Sequence, residues 1–265
     1  MIKKRKAEPK QSRGLLKIAS LRNARNDWWF YFLSLALLLT SCKSDSMDAP
    51  ATVQQEIYNS GPLNYLLFMP VETKAQEQGK YPLILSLHGI GERGNDLQHL
   101  KRDGLSKLLD GNSAFPFIVI SPQCPLSTEW YYDRSDTLLI KLLDEVIARY
   151  PIDTKRIYVT GYSMGGIGAW DLAIRNPSRF AAVLPIAARA EGGWNVCVLQ
   201  TVPVWAFHGA KDDVVDLFKA ESIVNALRNC GGNVQFTVYP NAGHDAWTRT
   251  YNDSQVYDWL LKQRR

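Results

Sequence analysis

The chain has 265 residues, of which 46% are hydrophobic and 22% charged, so it can bury a substantial core and is not a disordered protein. The formal net charge of +5 comes from the amino terminus, because residues 1–27 carry nine Lys or Arg against two acidic residues, a net of +7, which leaves −2 for the remainder. The composition therefore gives no indication of a nucleic-acid surface, and the absence of an internal repeat argues against solenoids and propellers.

The amino-terminal segment predicts export. After the basic stretch comes "WWFYFLSLALLLTSC", whose apolar part of about 14 residues is short for a membrane span and ends in small residues. Residues 39–42, Leu-Thr-Ser-Cys, resemble the lipobox of bacterial lipoproteins, which implies cleavage before Cys42 and lipid on its sulfur. We expect residues 1–41 to be a lipoprotein signal peptide and the mature protein to be membrane-anchored, in the periplasm or at the cell surface. An ordinary signal peptide or an uncleaved anchor is the alternative.

The polar residues 42–53 predict a flexible tether, and residues 54–265 predict one catalytic domain. The other cysteines are Cys124, Cys197 and Cys230, of which at most two can pair within the chain. A bond between Cys197 and Cys230 is conceivable, but the sequence fixes no connectivity. No cysteine has a neighbouring Cys or His at metal-ligand spacing, so we expect no zinc site.

The domain alternates short apolar runs with helical patterns, in an order that predicts an α/β protein with a mainly parallel sheet flanked by helices. Several strands lack a period of two, as expected when both sheet faces are buried. The predicted strands are "NYLLFMP", "YPLILSLHG", "FPFIVISP", "RIYVTGYS", "FAAVLPIA", "VPVWAFHG" and "NVQFTVYP". The predicted helices are "DTLLIKLLDEVIARY", "GGIGAWDLAIRNP", "LFKAESIVNALRNC" and "SQVYDWLLKQRR".

A candidate nucleophile lies between the fourth of these strands and the helix that follows it. Residues 161–165, Gly-Tyr-Ser-Met-Gly, fit the G-x-S-x-G pattern of a sharp strand-to-helix turn that holds Ser163 at the sheet edge. A side chain at either flanking glycine would collide with a neighbouring strand or helix.

A serine nucleophile requires a base that is oriented by a carboxylate. Of the four histidines, His244 is the candidate base, because it follows the last predicted strand and comes after a candidate acid. Asp212 is the preferred acid, since "HGAKDDVV" matches the H-G-x-x-D-x-x-V pattern of related hydrolases, with Asp213 as the alternative. The backbone amides of Met164 and Ile90 are the expected oxyanion donors.

Five ordered segments, "LHGIGERGND", "SPQCP", "GYSMGGIGAWDLA", "AFHGAKDDVV" and "YPNAGHDAWTRTY", carry a family resemblance. From about residue 54 onward the chain resembles α/β-hydrolase esterases related to dienelactone hydrolases, phospholipase/carboxylesterases and feruloyl esterases. The resemblance implies the α/β-hydrolase fold and serine-dependent ester hydrolysis without metal or organic cofactor.

Aromatic residues give the further indication of a substrate. Trp130 and Trp247 follow strand ends and predict contacts with sugars or an aromatic acyl group, although rings in such loops also cover cores. Glu92 and Arg93, beside the oxyanion loop, favour a structural pairing over substrate binding. We expect a small-molecule or polysaccharide ester substrate, with acetyl or feruloyl groups on carbohydrate. A serine peptidase of the prolyl-oligopeptidase-like branch and a non-catalytic glycan-binding lipoprotein are the alternatives.

Overall fold

A computed structural model describes residues 55–59, 61–71, 73–112, 114–190 and 195–265. The predicted signal peptide (residues 1–41), the lipidation site Cys42 and the tether (residues 42–53) lie outside these residues. Within the described ranges, no helix combines the length and the apolar character that a bilayer crossing requires.

Eight strands of the described chain form one sheet in the order β1-β2-β4-β3-β5-β6-β7-β8. Strands β3 to β8 pair in parallel, whereas β1 and β2 pair antiparallel at one edge. The sheet confirms the predicted α/β fold class. The strands are β1 (Glu56–Tyr58), β2 (Tyr65–Phe68), β3 (Tyr81–Leu87), β4 (Ile118–Pro122), β5 (Ile152–Tyr162), β6 (Ala182–Ile186), β7 (Val204–Gly209) and β8 (Val234–Tyr239).

Helices cover both faces of the sheet, as parallel sheets require. The apolar sides of α2, α3 and α4 pack in the core layer on one face, and those of α1, α5 and α6 pack in the layer on the other. The helices are α1 (Gly104–Leu109), α2 (Asp133–Arg149), α3 (Met164–Arg175), α4 (Leu217–Asn229), α5 (Trp247–Tyr251) and α6 (Ser254–Lys262).

Strand β5 shows why the sequence has no alternating pattern in the central strands. Ile157 and Val159 pack in one core layer, while Tyr158 and Tyr162 pack in the other. Every residue of β5 from position 156 onward is buried. The strand is therefore buried on both sides until it reaches the carboxyl edge of the sheet, where Ser163 follows.

Three elements were not predicted, namely β1, α1 and α5. Each is three to six residues long, too short for a periodic pattern to be visible.

The structure also decides the cysteine pairing: Cys197 and Cys230 form a disulfide with a Cα–Cα distance of 5.5 Å, and Cys124 is a buried free thiol. The disulfide joins the 3₁₀ turn Val196–Leu199 to the end of α4.

Candidate active site

Ser163 occupies the turn between β5 and α3. Its backbone has φ 53° and ψ −121°, a conformation that residues other than glycine adopt only at a cost. The turn is held in place by a 3.0 Å hydrogen bond that the Ser163 N–H donates to the carbonyl of Ile186 in β6. The strain is thus maintained by the sheet itself.

The two glycines that flank Ser163 are needed because backbone atoms lie close to their Cα atoms. A Cβ at Gly161 would lie 2.8 Å from the carbonyl oxygen of Leu87, and one at Gly165 would lie 2.6 Å from that of His88. Neither neighbour is a flexible side chain that could move away. The turn therefore sits directly against the end of β3, as the motif predicts.

Three side chains from three loops meet at the carboxyl edge of the sheet. The Nε2 atom of His244 lies 2.9 Å from Ser163 Oγ, and its Nδ1 atom lies 2.9 and 3.0 Å from the two carboxylate oxygens of Asp212. Because a carboxylate accepts and does not donate, the proton of the neutral ring is assigned to Nδ1. Nε2 is then free to accept the hydroxyl proton of Ser163.

Asp212 lies in the loop after β7 and its side chain is fully buried. Its Oδ1 atom accepts hydrogen bonds from the backbone N–H groups of Val214 and Val215, both at 2.9 Å. Asp213, the alternative acid, is exposed. The structure therefore places Asp212, rather than its neighbour, beside the imidazole of His244.

Ile90 and Met164, the predicted oxyanion donors, are each the first residue of a helix. Ile90 begins the 3₁₀ turn Ile90–Glu92 after β3, and Met164 begins α3. Amides in that position have no acceptor within their own helix. Strands β3 and β5 are paired up to Leu87 and Gly161, so the two segments leave the sheet side by side.

The loop that carries Ile90 is held by the buried side chain of His88. Its Nε2 atom accepts a 2.9 Å hydrogen bond from the Cys124 N–H, so its proton lies on Nδ1, which is 2.5 Å from the carbonyl oxygen of Gly89. Burial lowers the pKa of His88 to about 4. The ring is therefore neutral at pH 7 and fixes the peptide that precedes Ile90.

A second contact joins this loop to the nucleophile turn. The Tyr162 hydroxyl donates a 2.9 Å hydrogen bond to Glu92 Oε2, and burial raises the pKa of both groups. Arg93 does not pair with Glu92. It donates to the carbonyls of Leu126 and Thr128 and lies 3.8 Å from a carboxylate oxygen of Glu129.

Trp130 is a core residue, and the prediction that it contacts substrate is wrong. Its side chain is 1% exposed, which leaves no surface on which a sugar could stack. Its indole N–H donates a 3.0 Å hydrogen bond to the carbonyl of His88, and its ring packs edge-on against the imidazole of that residue. Trp130 thus supports the loop before Ile90 through its contacts with His88.

Trp247, the other predicted aromatic contact, lies beside the candidate base. Its ring is 5.3 Å from that of His244, in an edge-on arrangement, and 4.5 Å from the stacked ring of Tyr162. Its indole N–H donates to Asp103 Oδ1 at 2.9 Å. The ring is half-buried, so part of it remains accessible at the rim of the site.

Sequence reasoning missed the supporting residues His88 and Tyr162. Among the residues that the structure describes, no group of three His, Cys, Asp or Glu is arranged to hold a metal ion. A histidine directly before a glycine at a strand end, as in residues 88–89 and 208–209, was the available signal.

Residues 113–257, more than half of the chain, match the phospholipase/carboxylesterase family. The chain belongs to this family. Membership confirms the expected family resemblance and the α/β-hydrolase fold.

Individual relatives of this family member include proteins named as esterases. A bifunctional acetylxylan esterase/xylanase of Neocallimastix patriciarum is 28% identical over 67% of this chain and 26% of its own length. The "probable feruloyl esterase C" of Aspergillus terreus is 25% identical over 82% of this chain and 81% of its own length. A thermostable esterase of known crystal structure is 28% identical, with a TM-score of 0.66, over 81% of this chain and 64% of its own. The chain thus spans about a quarter of the first protein's length and under two thirds of the third's.

Proposed function

We propose that this protein hydrolyses carboxylic esters through Ser163, His244 and Asp212. The observation that carries the proposal is the contact series from Ser163 Oγ through the imidazole to the buried carboxylate. His244 Nε2 accepts the hydroxyl proton as Ser163 Oγ attacks the carbonyl carbon of the ester. Asp212 accepts the Nδ1 hydrogen bond and stabilises the resulting imidazolium.

The carbonyl oxygen becomes negatively charged in this step and is met by the N–H groups of Met164 and Ile90. His244 then gives its proton to the leaving alcohol, the ester C–O bond breaks and an acyl group remains on Ser163. A water molecule, deprotonated by His244, attacks that acyl group, and the carboxylic acid leaves as Ser163 regains its proton. No net proton is gained by the enzyme in the cycle.

The substrate class that we propose is an ester on carbohydrate, with an acetyl or feruloyl acyl group. Relatives named acetylxylan esterase and feruloyl esterase support this class. The half-buried ring of Trp247 supports it too, and Asp103 joins that ring to a cavity of about 160 Å³ between α1 and α5. Lys107, Thr248 and Asn252 line the cavity and supply the polar groups that sugar hydroxyls require.

The test compares the wild type with Ser163→Ala on p-nitrophenyl acetate, acetylated xylan, feruloyl sugar esters and peptide nitroanilides. We expect the wild type to cleave the esters and Ser163→Ala to lose turnover while its unfolding transition stays the same. Unchanged ester hydrolysis by Ser163→Ala would reject the mechanism. Preference for nitroanilides would instead assign the site to a peptidase, and failure of a fluorophosphonate probe to label Ser163 would indicate a non-catalytic protein.

We also propose that the protein is exported and anchored by lipid on Cys42. The disulfide between Cys197 and Cys230 supports export, because such bonds persist in oxidising compartments. Cells fed a clickable palmitate analogue should label the wild type and not Cys42→Ala, which should appear in the soluble fraction. Equal labelling of both proteins would reject lipidation at this residue.

A further inference from the structure

His208 is a fully buried histidine that the proposed mechanism does not use. It is the penultimate residue of β7, four positions before Asp212. Its Nε2 atom lies 2.8 Å from the carbonyl oxygen of Val215 and 3.2 Å from Asp212 Oδ2. A second imidazole, besides that of His244, therefore lies close to Asp212 Oδ2.

The hydrogen bonds of His208 decide which nitrogen carries its proton. The carbonyl of Val215 can only accept, so Nε2 must be the N–H. Within the part of the chain that the structure describes, the buried Nδ1 atom has no hydrogen-bond partner. That atom is therefore a buried acceptor left unpaired, which costs free energy.

A buried polar atom without a partner requires an explanation, because an apolar side chain at position 208 would avoid its cost. The benefit of the imidazole must therefore come from Nε2. That N–H donates to the carbonyl of Val215, the residue whose own N–H binds Asp212 Oδ1, and its nitrogen lies 3.2 Å from Asp212 Oδ2. One donor thus contacts both ends of the turn that carries the acid.

We propose that His208 is a positioning residue for Asp212. It holds the turn of residues 212–215 closed through Val215 and places its N–H group beside Asp212 Oδ2, so that the carboxylate stays aimed at His244. The inference rests on the proposed function, since it concerns the same site. His208 acts through Asp212 and His244 and does not touch the substrate.

The test uses two amide substitutions of similar polarity. In His208→Gln the side-chain nitrogen can reach the position of Nε2, whereas in His208→Asn it ends near the position of Nδ1. We expect His208→Asn to lower kcat on p-nitrophenyl acetate about 10- to 100-fold with little change in KM, the loss that follows from leaving the Val215 carbonyl of the acid turn without its donor. His208→Gln should retain kcat within about threefold, because its donor is kept.

A second measurement does not depend on turnover. The proton on His244 Nδ1 should give a low-field NMR resonance in the wild type and His208→Gln, shifted or lost in His208→Asn. If the wild type cleaves no ester, the proposed function fails, yet this resonance still tests the positioning role. His99→Asn, at a partly exposed position in the 3₁₀ segment Leu97–Arg102, is the matched control and should leave both kcat and the resonance unchanged.

Wild-type kcat and an unchanged resonance in His208→Asn would overturn the inference. Equal losses of kcat in His208→Asn and His208→Gln, in proportion to their losses of thermal stability, would overturn it as well. If His208→Asn does not fold, His208→Gln decides: retained kcat and resonance support the role of the Nε2 donor, and loss of either in a folded protein refutes it.

Discussion

The substitution Asp212→Asn tests how the carboxylate sets the proton of His244. The asparagine oxygen must take the place of Oδ1, because two backbone N–H groups, from Val214 and Val215, point at that position from 2.9 Å. The NH₂ group is then forced into the position of Oδ2, which is 2.9 Å from His244 Nδ1 and 3.2 Å from His208 Nε2. Donors would face donors at both contacts.

His244 can relieve its conflict by moving its proton from Nδ1 to Nε2. Nε2 then donates to Ser163 Oγ across the 2.9 Å contact instead of accepting its proton, so the nucleophile is not activated. The same substitution in a serine protease triad lowers kcat about 10⁴-fold, equivalent to about 5 kcal/mol in the barrier. We expect a loss of this size, with KM little changed and the fold retained.

The assay is steady-state hydrolysis of p-nitrophenyl acetate at pH 7.5, together with the rate of fluorophosphonate labelling. Asp213→Asn is the matched control, because it makes the same chemical change at the exposed neighbouring residue and should keep wild-type kcat. If Asp212→Asn kept more than about a tenth of wild-type kcat, the inferred proton position would be wrong. A comparable loss in Asp213→Asn would show that the acid had been misassigned.

Three further predictions concern stability. Gly165→Ala should lower the free energy of unfolding in urea by more than about 3 kcal/mol, because its Cβ would lie 2.6 Å from a backbone oxygen of His88. Gly91→Ala is the control and should not do so, since the space around Gly91 is open. Because burial lowers the pKa of His88 from 6.5 to about 4, the unfolded chain binds the proton first, and stability should fall as pH drops through that window. Over this pH range the wild type should lose about 3 kcal/mol more unfolding free energy than His88→Gln. Equal losses in the two proteins would contradict the burial argument. Reducing the bond between Cys197 and Cys230, 33 positions apart, should cost about 3–4 kcal/mol, and an unchanged melting temperature in dithiothreitol would refute this.

The layered fold and the position of the nucleophile were predictable because their causes are local. Apolar runs buried on both faces indicate central parallel strands, and the glycines at 161 and 165 form, with Ser163, a motif of five neighbouring residues. Short elements such as α1 and α5 could not be predicted, since they form through packing on the sheet rather than through a repeating pattern of their own.

The role of each aromatic ring also lay beyond the sequence. Trp130 and Trp247 both follow strand ends, yet one is enclosed beneath His88 and the other lies at the rim beside His244. Which ring is buried depends on the loops that pack over it, and these come from distant parts of the chain. The same reason explains why His208 and Tyr162 escaped notice as supports of the site.

The sequence by itself determined the order of strands and helices, the strained turn at Ser163 and the order serine, acid, histidine along the chain. Only the tertiary structure decided that Asp212 rather than Asp213 faces His244, that Cys197 pairs with Cys230, and that His208 lies against the acid. Periodicity and turn chemistry are properties of neighbouring residues, which a sequence displays directly. Hydrogen-bond partners that are 32 or 81 residues apart meet only when parallel strands bring their carboxyl ends to one edge of the sheet.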